Sequence, residues 1–545
     1  MSLLSLLCIC KGKIAILLFD FVHWMLQKTL EDKITMLMPF RQTLSQNLMG
    51  IERESLRVGT DGAISQEPHP KAYGSALTNP SITTDFSEAL IELVTKPFDS
   101  ADKALDDLDS TQHFVYHHLP QDQRYWPASM PCVTKGETHI PIAQYGDSNR
   151  GKMKTVYRNG LANRYGSVMQ TIAGIHFNYS FSPDYWQAYQ QLIAPDTPMQ
   201  FFIDEHYMAL TRNVLRFGWL ISYLFGASAA VCKSFLKDYH KHNLHEFDEN
   251  SYYLPYATSL RMGDIGYQNS QEDKAGVKAN YNSLCHYVHS LRAAMETSSA
   301  DYEAIGLKKD GEYQQLNTNI LQIENEYYAS VRPKPKLNGF DKPLNALNKS
   351  GIAYIELRSL DVNPLNPLGI DKQQIHFLEA FLLFCLLQKS PPISTAELFE
   401  IDSNNHLVAH KGRDPDLLLK KHGKEIPLQD WGLDIVEKVR ACSKLLSSAH
   451  EKSVRIIAER ICNSALTPSA IMLAEMRKNK QGYYQYVNEI SHQYKDLYRQ
   501  QEIDKKKFSD LKEMAKSSLR QQAEIESQDK ISFDEFIAGY FSIDG

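Results

Sequence analysis

The chain has 545 residues, of which 43% are hydrophobic and 23% are charged, so it can bury a substantial core and should fold as two or more packed units. Its net charge of -6 and its pI near 6.4 exclude a strongly basic nucleic-acid binder, and we expect no nucleic-acid partner. Any anionic substrate must therefore be bound locally, by arginines or metal ions.

The first 25 residues are rich in Leu, Ile and Phe. Lys11, Lys13 and Asp20 interrupt them, so no unbroken run reaches the roughly 20 residues that a membrane helix needs. Three interpretations stay open: a translated stretch upstream of a start at Met25, a short amphipathic helix on a membrane surface, or a poor signal peptide. We favour the first and expect no membrane partner.

Composition changes along the chain near residue 435. Up to about Gly369, helical stretches alternate with short runs of alternating hydrophobicity, which is typical of an α+β domain. Beyond Val436 the chain is dense in Lys and Glu with helical periodicity. We therefore divide the chain into an N-terminal extension (1–25), a main domain (26–435) and a helical C-terminal region (436–545). The eight scattered cysteines, without any Cys-x-x-Cys, indicate reduced thiols in a cytoplasmic protein.

Three familiar motifs are absent from the sequence: the phosphate-binding G-x-x-x-x-G-K-[ST] loop, the dinucleotide-binding G-x-G-x-x-G turn and the G-x-S-x-G nucleophile elbow. If the protein binds a nucleotide, a glycine loop is not the main phosphate cradle. The alternative is a set of carboxylates that hold divalent cations, which in turn hold the phosphates.

Paired ionisable residues in three predicted strands could supply such carboxylates. In the run 49–58, Glu52 and Glu54 share a parity and would project from one face, about 7 Å apart. The runs 319–328 and 351–361 show the same alternation, and the second of them places Glu356 beside Arg358. A solvated strand edge is the alternative interpretation of each pair.

A predicted helix would add further carboxylates to those of the strands. After Thr83 and Thr84, the run 85–94 spaces Asp85, Glu88 and Glu92 at i, i+3 and i+7, on one helical face. Such a face is often simply solvated, and His176 is alternatively a core histidine rather than a nitrogen ligand. We expect Glu88 and Glu326 to be structural residues or to support the site from behind its lining residues.

Three arginines are candidates to meet anions. Arg158 and Arg358 could contact a transferring phosphate, because a guanidinium spreads its charge over several oxygens. Arg261 could pair with a substrate carboxylate. For each of them a structural salt bridge is the alternative.

Eight ordered motifs carry a resemblance to a known family. They are G-I-E-R-E-S-L-R-V (50–58), S-I-T-T-D-F-S-E-A-L-I-E (81–92), W-P-A-S-M-P-C (126–132), Y-R-N-G-L-A-N-R-Y-G (157–166), M-Q-T-I-A-G-I-H-F-N (169–178), Y-L-P-Y-A-T-S-L-R (253–261), L-Q-I-E-N-E-Y-Y (321–328) and Y-I-E-L-R-S-L-D (354–361). In order and spacing, they closely resemble the monofunctional glutamate-cysteine ligase of proteobacteria. The match is dense from about Asn47 to Asp371 and thin afterwards.

The resemblance implies an α+β fold similar to that of glutamine synthetase, with a curved antiparallel sheet, flanking helices and a catalytic domain at 26–435. It implies an ATP-dependent ligase that joins the γ-carboxylate of L-glutamate to the amine of L-cysteine through a γ-glutamyl phosphate. The implied cofactor is Mg²⁺, with Mn²⁺ as the alternative. We expect a monomer, and we keep as alternatives a related ligase that takes another amine and a non-catalytic metal or nucleotide binder.

The resemblance also implies roles for residues of this sequence. Arg358 and Arg158 would steady the transferred phosphoryl group, and Arg261 would pair with a substrate carboxylate. Tyr267 and Tyr328 would lie near the carboxylate of cysteine. The residues implied around the thiol are Phe86, Tyr157, Leu161 and Gln170, and those implied as metal ligands are Glu52, Glu54, Asp85, Glu92, His176 and Glu356.

Overall fold

Strands and helices alternate as far as residue 427, and the described residues beyond it are mainly helical. The computed structural model describes residues 28–131, 133–237, 242–266 and 278–542. The strands within these ranges are β1 (Leu48–Val58), β2 (Ile82–Thr84), β3 (Leu90–Val94), β4 (Arg124–Trp126), β5 (Gly174–Ser180), β6 (Ala230–Cys232), β7 (His245–Glu246), β8 (Ser251–Tyr253), β9 (Lys308–Lys309), β10 (Glu312–Tyr313), β11 (Val331–Lys334), β12 (Tyr354–Asp361), β13 (Leu418–Lys421) and β14 (Lys424–Pro427). The helices are α1 (Leu30–Leu37), α2 (Ala101–His118), α3 (Asn149–Tyr165), α4 (Pro183–Ile193), α5 (Met199–Phe217), α6 (Trp219–Phe225), α7 (Leu284–Glu296), α8 (Ala300–Ile305), α9 (Pro343–Ser350), α10 (Lys372–Leu387), α11 (Thr395–Lys411), α12 (Leu428–Ser443), α13 (Ser448–Cys462), α14 (Pro468–Asn479), α15 (Tyr483–Gln500), α16 (Lys505–Gln528) and α17 (Phe533–Phe541).

Seven of these strands form one open sheet. Their order is β11-β12-β5-β1-β3-β2, and β4 pairs with the far end of β1. Every pairing in the sheet is antiparallel. The predicted α+β class, with an antiparallel sheet and flanking helices, is confirmed, and the strands predicted at 49–58 and 351–361 are β1 and β12.

The register of the sheet collects the polar residues on one face. Glu52 lies opposite His176 of β5, and Glu54 lies opposite Glu92 of β3. Glu356 of β12 lies opposite the neighbouring β5 residue, Asn178. Because directly paired residues project to the same side and successive side chains alternate, all of these side chains share a face.

The other face of the sheet packs into the core. Ile51 of β1 and Phe177 of β5 are completely buried there. Helix α2 packs against β1 and β3 and also contacts α10. In α10 every residue from Gln374 to Leu387 is buried, so this helix is the centre of the layer behind the sheet.

The C-terminal region is helical, as predicted, and it packs against the rest of the chain. Helices α10, α12 and α13 contact one another, while α15 contacts β4 and both α15 and α16 contact α2. Helix α12 begins at Leu428, so residue 435 lies inside a helix. The division at 435 stays a prediction, and the predicted extension at 1–25 lies outside the described residues.

The docking of α16 depends on a close approach at Gly74. Its φ is +86°, and an added Cβ would lie 2.8 Å from the backbone of Ala515 and would overlap Ser518 Oγ. The same hydroxyl accepts a hydrogen bond from Ser75 N at 3.0 Å, and Thr78 Oγ1 donates to the Ser518 carbonyl.

We expect Gly74→Ala to lower the free energy of unfolding by about 1–3 kcal/mol more than Gly136→Ala, because only the first variant overpacks an interface. Gly136 is the matched control, since its φ is +97° but nothing lies within 4 Å of an added Cβ. Both variants carry the strain of a positive φ. Denaturant unfolding of the two proteins measures the difference, and equal losses would contradict the proposed clash.

The described cysteines, Cys232, Cys285, Cys385, Cys442 and Cys462, are free thiols. This agrees with the expectation of reduced thiols for that part of the chain. Among the helices of the described residues, we find none whose length and apolarity would allow it to cross a bilayer.

Candidate active site

A cavity of about 720 Å³ opens over the polar face of the sheet. Fourteen of the fifteen residues proposed from the sequence line it, and the fifteenth, Tyr267, lies outside the described residues. The fourteen are Glu52, Glu54, Asp85, Phe86, Glu92, Tyr157, Arg158, Leu161, Gln170, His176, Arg261, Tyr328, Glu356 and Arg358.

His176 is at the centre of the acidic cluster. Its Nδ1 lies 2.8 Å from Glu52 Oε2 and 3.9 Å from Glu356 Oε1, and its Nε2 lies 3.5 Å from Glu54 Oε1. One ligand atom from each of Glu52, His176 and Glu356 can be chosen so that all three lie within 4.8 Å of one another. One imidazole and several carboxylates are thus gathered into a space the size of a metal coordination sphere.

The segment that carries Asp85 and Glu92 is a strand hairpin, and the predicted helix over 85–94 is wrong. Strands β2 and β3 pair with Thr83 opposite Glu92. Glu92 still faces the cavity because its β1 partner is Glu54. Glu88 lies in the turn, where its carboxylate accepts hydrogen bonds from His69 N at 2.9 Å and Gln144 N at 3.1 Å. Of the two roles expected for it, Glu88 therefore has the structural one.

The carboxylates repel one another inside the cavity. Burial, together with the charges of Glu52 and Asp85, raises the pKa of Glu92 well above its ordinary value. Burial likewise raises the pKa of Glu54. Burial also disfavours the charge of Glu52, but the hydrogen bond with His176 and the electrostatic attraction of His176 and Lys334 together outweigh burial and lower the pKa of Glu52. Crowded carboxylates of this kind are stabilised by a cation.

The residues present fit a hard divalent cation such as Mg²⁺. Their donors are mainly carboxylate oxygens, the ligands that such ions prefer. Glu356 is almost fully buried, and within the described residues its Oε2 accepts no hydrogen bond, although Lys334 Nζ lies 3.6 Å away. An acceptor without a hydrogen bond at the wall of an acidic cavity is suited to an ion.

Arg358 is held by the acidic cluster. Its Nη1 lies 3.1 Å from Glu356 Oε1 and 3.4 Å from His176 Nδ1. Burial opposes its charge, but Glu356, Glu54 and the other acidic groups nearby together outweigh burial and raise the pKa of Arg358. In turn, Lys334, Arg358 and the other basic groups nearby together overcome the effect of burial on Glu356 and hold the pKa of that carboxyl well below its ordinary value. A positive group is thereby fixed among the carboxylates.

The other two arginines are anchored to different elements around the cavity. Arg158 of α3 donates from Nε to the Asp85 carbonyl, and its guanidinium lies 4.7 Å from the centre of the Tyr145 ring. Arg261 is 1% exposed and donates from Nη2 to the Arg358 carbonyl at 2.8 Å. Asp361 lies 3.9 Å from Arg261, so this arginine combines a structural ion pair with a place in the cavity wall.

The side chains proposed for the thiol pocket lie on three separate elements. Tyr157 and Leu161 are four residues apart on α3 and so share a helical face. Phe86 lies in the turn before β3, and Gln170 lies in a short 3-10 helix before β5. Tyr328, proposed near the cysteine carboxylate, directs its hydroxyl to Met262 Sδ at 3.2 Å.

The predicted strand at 319–328 is wrong. This segment is a loop that contains a 3-10 helix, Glu324–Glu326. Glu326 accepts hydrogen bonds from Gln322 N at 2.7 Å and from Tyr165 Oη at 2.9 Å. It also pairs with Arg164 at 2.9 Å, and both of those side chains are completely buried. Glu326 therefore has a structural role even though it reaches the cavity wall.

We expect Arg164→Ala to lower the free energy of unfolding by about 3–5 kcal/mol, because the change leaves the Glu326 carboxylate buried without its partner. Urea unfolding of the variant and the parent protein measures the loss. The control is Arg440→Ala, since Arg440 pairs with Glu437 at an exposed site and such pairs contribute only about 0–1 kcal/mol. Equal losses in the two variants would contradict a dominant role for the buried pair.

Several cavity residues were missed in the sequence. Lys154 lies one helical turn before Arg158 on α3, so helical periodicity could have found it; burial lowers its pKa to about 8. Ile525 of α16 and Tyr540 of α17 also line the cavity. No local pattern marks these two, because tertiary packing alone brings them there.

Comparisons with known proteins place the chain in a family. A family model described as glutamate-cysteine ligase matches residues 35–408. The chain is 42% identical over 509 residues to a glutamate-cysteine ligase of Alcanivorax borkumensis, covering 92% of this chain and 96% of the relative. It is 43% identical over 502 residues to one of Pseudomonas putida, covering 91% and 95%.

A solved structure agrees with these relatives. The crystal structure of a glutamate-cysteine ligase from Francisella tularensis, in complex with AMP, has a TM-score of 0.86 and 37% sequence identity to this chain. The match covers 91% of this chain and 97% of that one. With the family model over most of its length, and relatives matched almost end to end, the chain belongs to the glutamate-cysteine ligase family.

Proposed function

We propose that this protein joins the γ-carboxylate of L-glutamate to the amine of L-cysteine at the expense of ATP, the first step of glutathione biosynthesis. The observation that carries the proposal is the cluster of Glu52, Glu54, His176 and Glu356 around Arg358 in one cavity, in a chain that belongs to the glutamate-cysteine ligase family. The AMP bound by the Francisella tularensis protein supports a nucleotide site in the same fold.

The proposed reaction has two steps. A γ-carboxylate oxygen of glutamate attacks the γ-phosphorus of ATP, the bond to the bridging oxygen breaks, and ADP leaves. The amine of cysteine then attacks the carbonyl carbon of the γ-glutamyl phosphate and loses a proton, and inorganic phosphate leaves. Arg358 and Arg158 offer guanidinium groups to the oxygens of the transferring phosphoryl group, where charge must be neutralised.

The metal ligands in this proposal are Glu52, Glu54, Asp85, Glu92, His176 and Glu356. When bound, Mg²⁺, or Mn²⁺ in its place, would neutralise phosphate charge and orient the nucleotide. Before the ion binds, Lys334 and Arg358 hold the charge of Glu356, and His176 orients Glu52. These residues thus fix the charge of Glu356 and the orientation of Glu52 before substrate binds.

The cysteine subsite in this proposal consists of the cavity residues Phe86, Tyr157 and Leu161, which are largely apolar, together with Gln170. Such a wall favours a thiol over a hydroxyl by about 1–3 kcal/mol, or roughly 10- to 200-fold in kcat/KM. Arg261 and Tyr328 would meet substrate carboxylates, together with Tyr267. We further propose that the protein acts as a cytoplasmic monomer whose residues 26–435 form the catalytic domain.

The test is phosphate release from ATP by the purified full-length chain with Mg²⁺ and glutamate, with and without cysteine. We expect release to require cysteine and to stop when EDTA removes the metal. Faster release with another amino acid than with cysteine would reassign the amine and indicate a related carboxylate-amine ligase. No release with any amine would overturn the enzymatic proposal and leave a metal or nucleotide binder.

A further inference from the structure

A second group of side chains that can ligate metals lies behind the sheet, away from the cavity. His376 and Glu379 are three residues apart on α10, and His450 is on α13. One ligand atom from each can be chosen so that all three lie within 4.8 Å of one another. His450 Nε2 is 2.9 Å from Glu379 Oε2, and the two imidazole rings have centroids 4.2 Å apart.

Each of the two histidines has a serine hydroxyl against its Nδ1. His376 Nδ1 lies 3.1 Å from Ser453 Oγ, and His450 Nδ1 lies 2.7 Å from Ser447 Oγ. In both rings the serine contact engages Nδ1 and directs Nε2 away from the hydroxyl. Metal-binding histidines commonly have such a partner on the nitrogen that does not touch the ion.

Burial supports the same assignment. His376 and Glu379 are 7% and 6% exposed, so a charge on either side chain is expensive without a partner. Besides His450, the ionisable groups that act on His376 are Lys372 and Asp102, one of each charge.

We propose that His376, Glu379 and His450 form a binding site for a divalent transition-metal ion, with Zn²⁺ as the ion that best fits the donor set. Two imidazoles and one carboxylate are typical zinc ligands, and His450 is partly exposed, which allows water to take a fourth position. Mg²⁺ prefers all-oxygen ligands and does not suit this site. The site is independent of the proposed ligase activity.

An ion bound at this site would link two helices of the fold. It joins α10, the buried helix behind the sheet, to α13 of the C-terminal region. The Tyr179 hydroxyl of β5 lies 3.5 Å from Glu379 Oε1, while His176 on the same strand projects from the other face. An ion at this site ties two helices together directly behind the strand that carries the cavity histidine.

The experiment is a Zn²⁺ titration of the full-length protein, with a chromophoric zinc chelator as competitor. Before the titration, the protein is treated with EDTA and exchanged into buffer with excess Mg²⁺. Excess Mg²⁺ occupies oxygen-rich sites but competes poorly for imidazoles. The variants are His450→Gln and Glu379→Gln, and the second is nearly isosteric in case the first fails to fold. Thermal unfolding with and without Zn²⁺ is the second readout.

His286→Gln is the matched control, because Ser283 Oγ lies 2.7 Å from His286 Nδ1 at a helix start, as Ser447 does with His450. We expect one tight equivalent in the parent and in His286→Gln, and at least 100-fold weaker binding in His450→Gln and Glu379→Gln. Free Zn²⁺ at 100 times the dissociation constant should raise the ratio of folded to unfolded parent about 100-fold.

Two results would overturn the proposal. The first is no Zn²⁺ binding by the parent in excess Mg²⁺, which would make the three side chains a hydrogen-bonded network only. The second is loss of the tight equivalent in His176→Gln but not in His450→Gln, which would locate the ion in the cavity.

Discussion

Replacing Glu52 with Gln is expected to reduce the cysteine-dependent release of phosphate at least about 100-fold in kcat, while the protein stays folded. Glu52 lies at a junction of the cluster: one oxygen is 2.8 Å from His176 Nδ1, and the other accepts a hydrogen bond from Asn178 Nδ2 at 2.9 Å. A glutamine fills the same volume and keeps one acceptor, but it removes the negative charge that a divalent ion requires.

The measurement for Glu52→Gln is kcat for phosphate release over a range of Mg²⁺ concentrations. If Glu52 is a metal ligand, the variant needs more Mg²⁺ for half-maximal activity than the parent does. Glu303→Gln is the control, since Glu303 is an exposed residue of α8 outside the cavity, and it should leave the rate unchanged. A Glu52→Gln protein with the parental rate and Mg²⁺ dependence would remove Glu52 from the proposed site.

The largest loss of activity is expected from Arg358→Ala, about 10³-fold or more in kcat, because a guanidinium that meets a transferring phosphoryl group is worth that much in other phosphoryl-transfer enzymes. Its ion pair with Glu356 fixes the guanidinium at the cavity wall before substrate binds. Arg358→Lys should recover part of the loss, since it keeps the charge but not the planar fork.

The readout must separate chemistry from folding, because Arg358→Ala also leaves Glu356 buried without one of its cations. Thermal unfolding of each variant accompanies the kinetics, and Arg440→Ala, at an exposed position on α12, is the arginine control. A folded Arg358→Ala protein that loses less than tenfold in kcat would contradict direct contact with the phosphoryl group.

The strands that form the polar face could be predicted because polar and apolar residues alternate along them. In β1 the side chains of Glu52 and Glu54 share one parity, and Ile51 takes the other. In β12 the same rule separates Glu356 and Arg358 from the buried Ile355 and Leu357. Local alternation could not give the register that brings His176 opposite Glu52, since pairing depends on the whole sheet.

The two wrong assignments have different physical causes. In β3 both faces are covered, so Leu90, Ile91 and Leu93 are all buried and the run lacks the alternation of a half-exposed strand. The spacing of Asp85, Glu88 and Glu92 matched one face of a helix by coincidence. In 319–328 the alternation was real, but the polar side chains bond to the backbone: Gln322 accepts from Leu316 N and Glu324 from Leu344 N.

The order of strands in the sheet has a consequence for how the protein is made. Strand β5 lies between β1 and β12, whose facing segments are about 300 residues apart in sequence. At a synthesis rate of about 5–20 residues per second, β1 emerges roughly 15–60 s before β12. For much of that time β5, already synthesised and able to pair with β1, still lacks its other neighbour, β12. Completion of the sheet therefore depends on contacts between segments that are distant in sequence, a topology that slows folding.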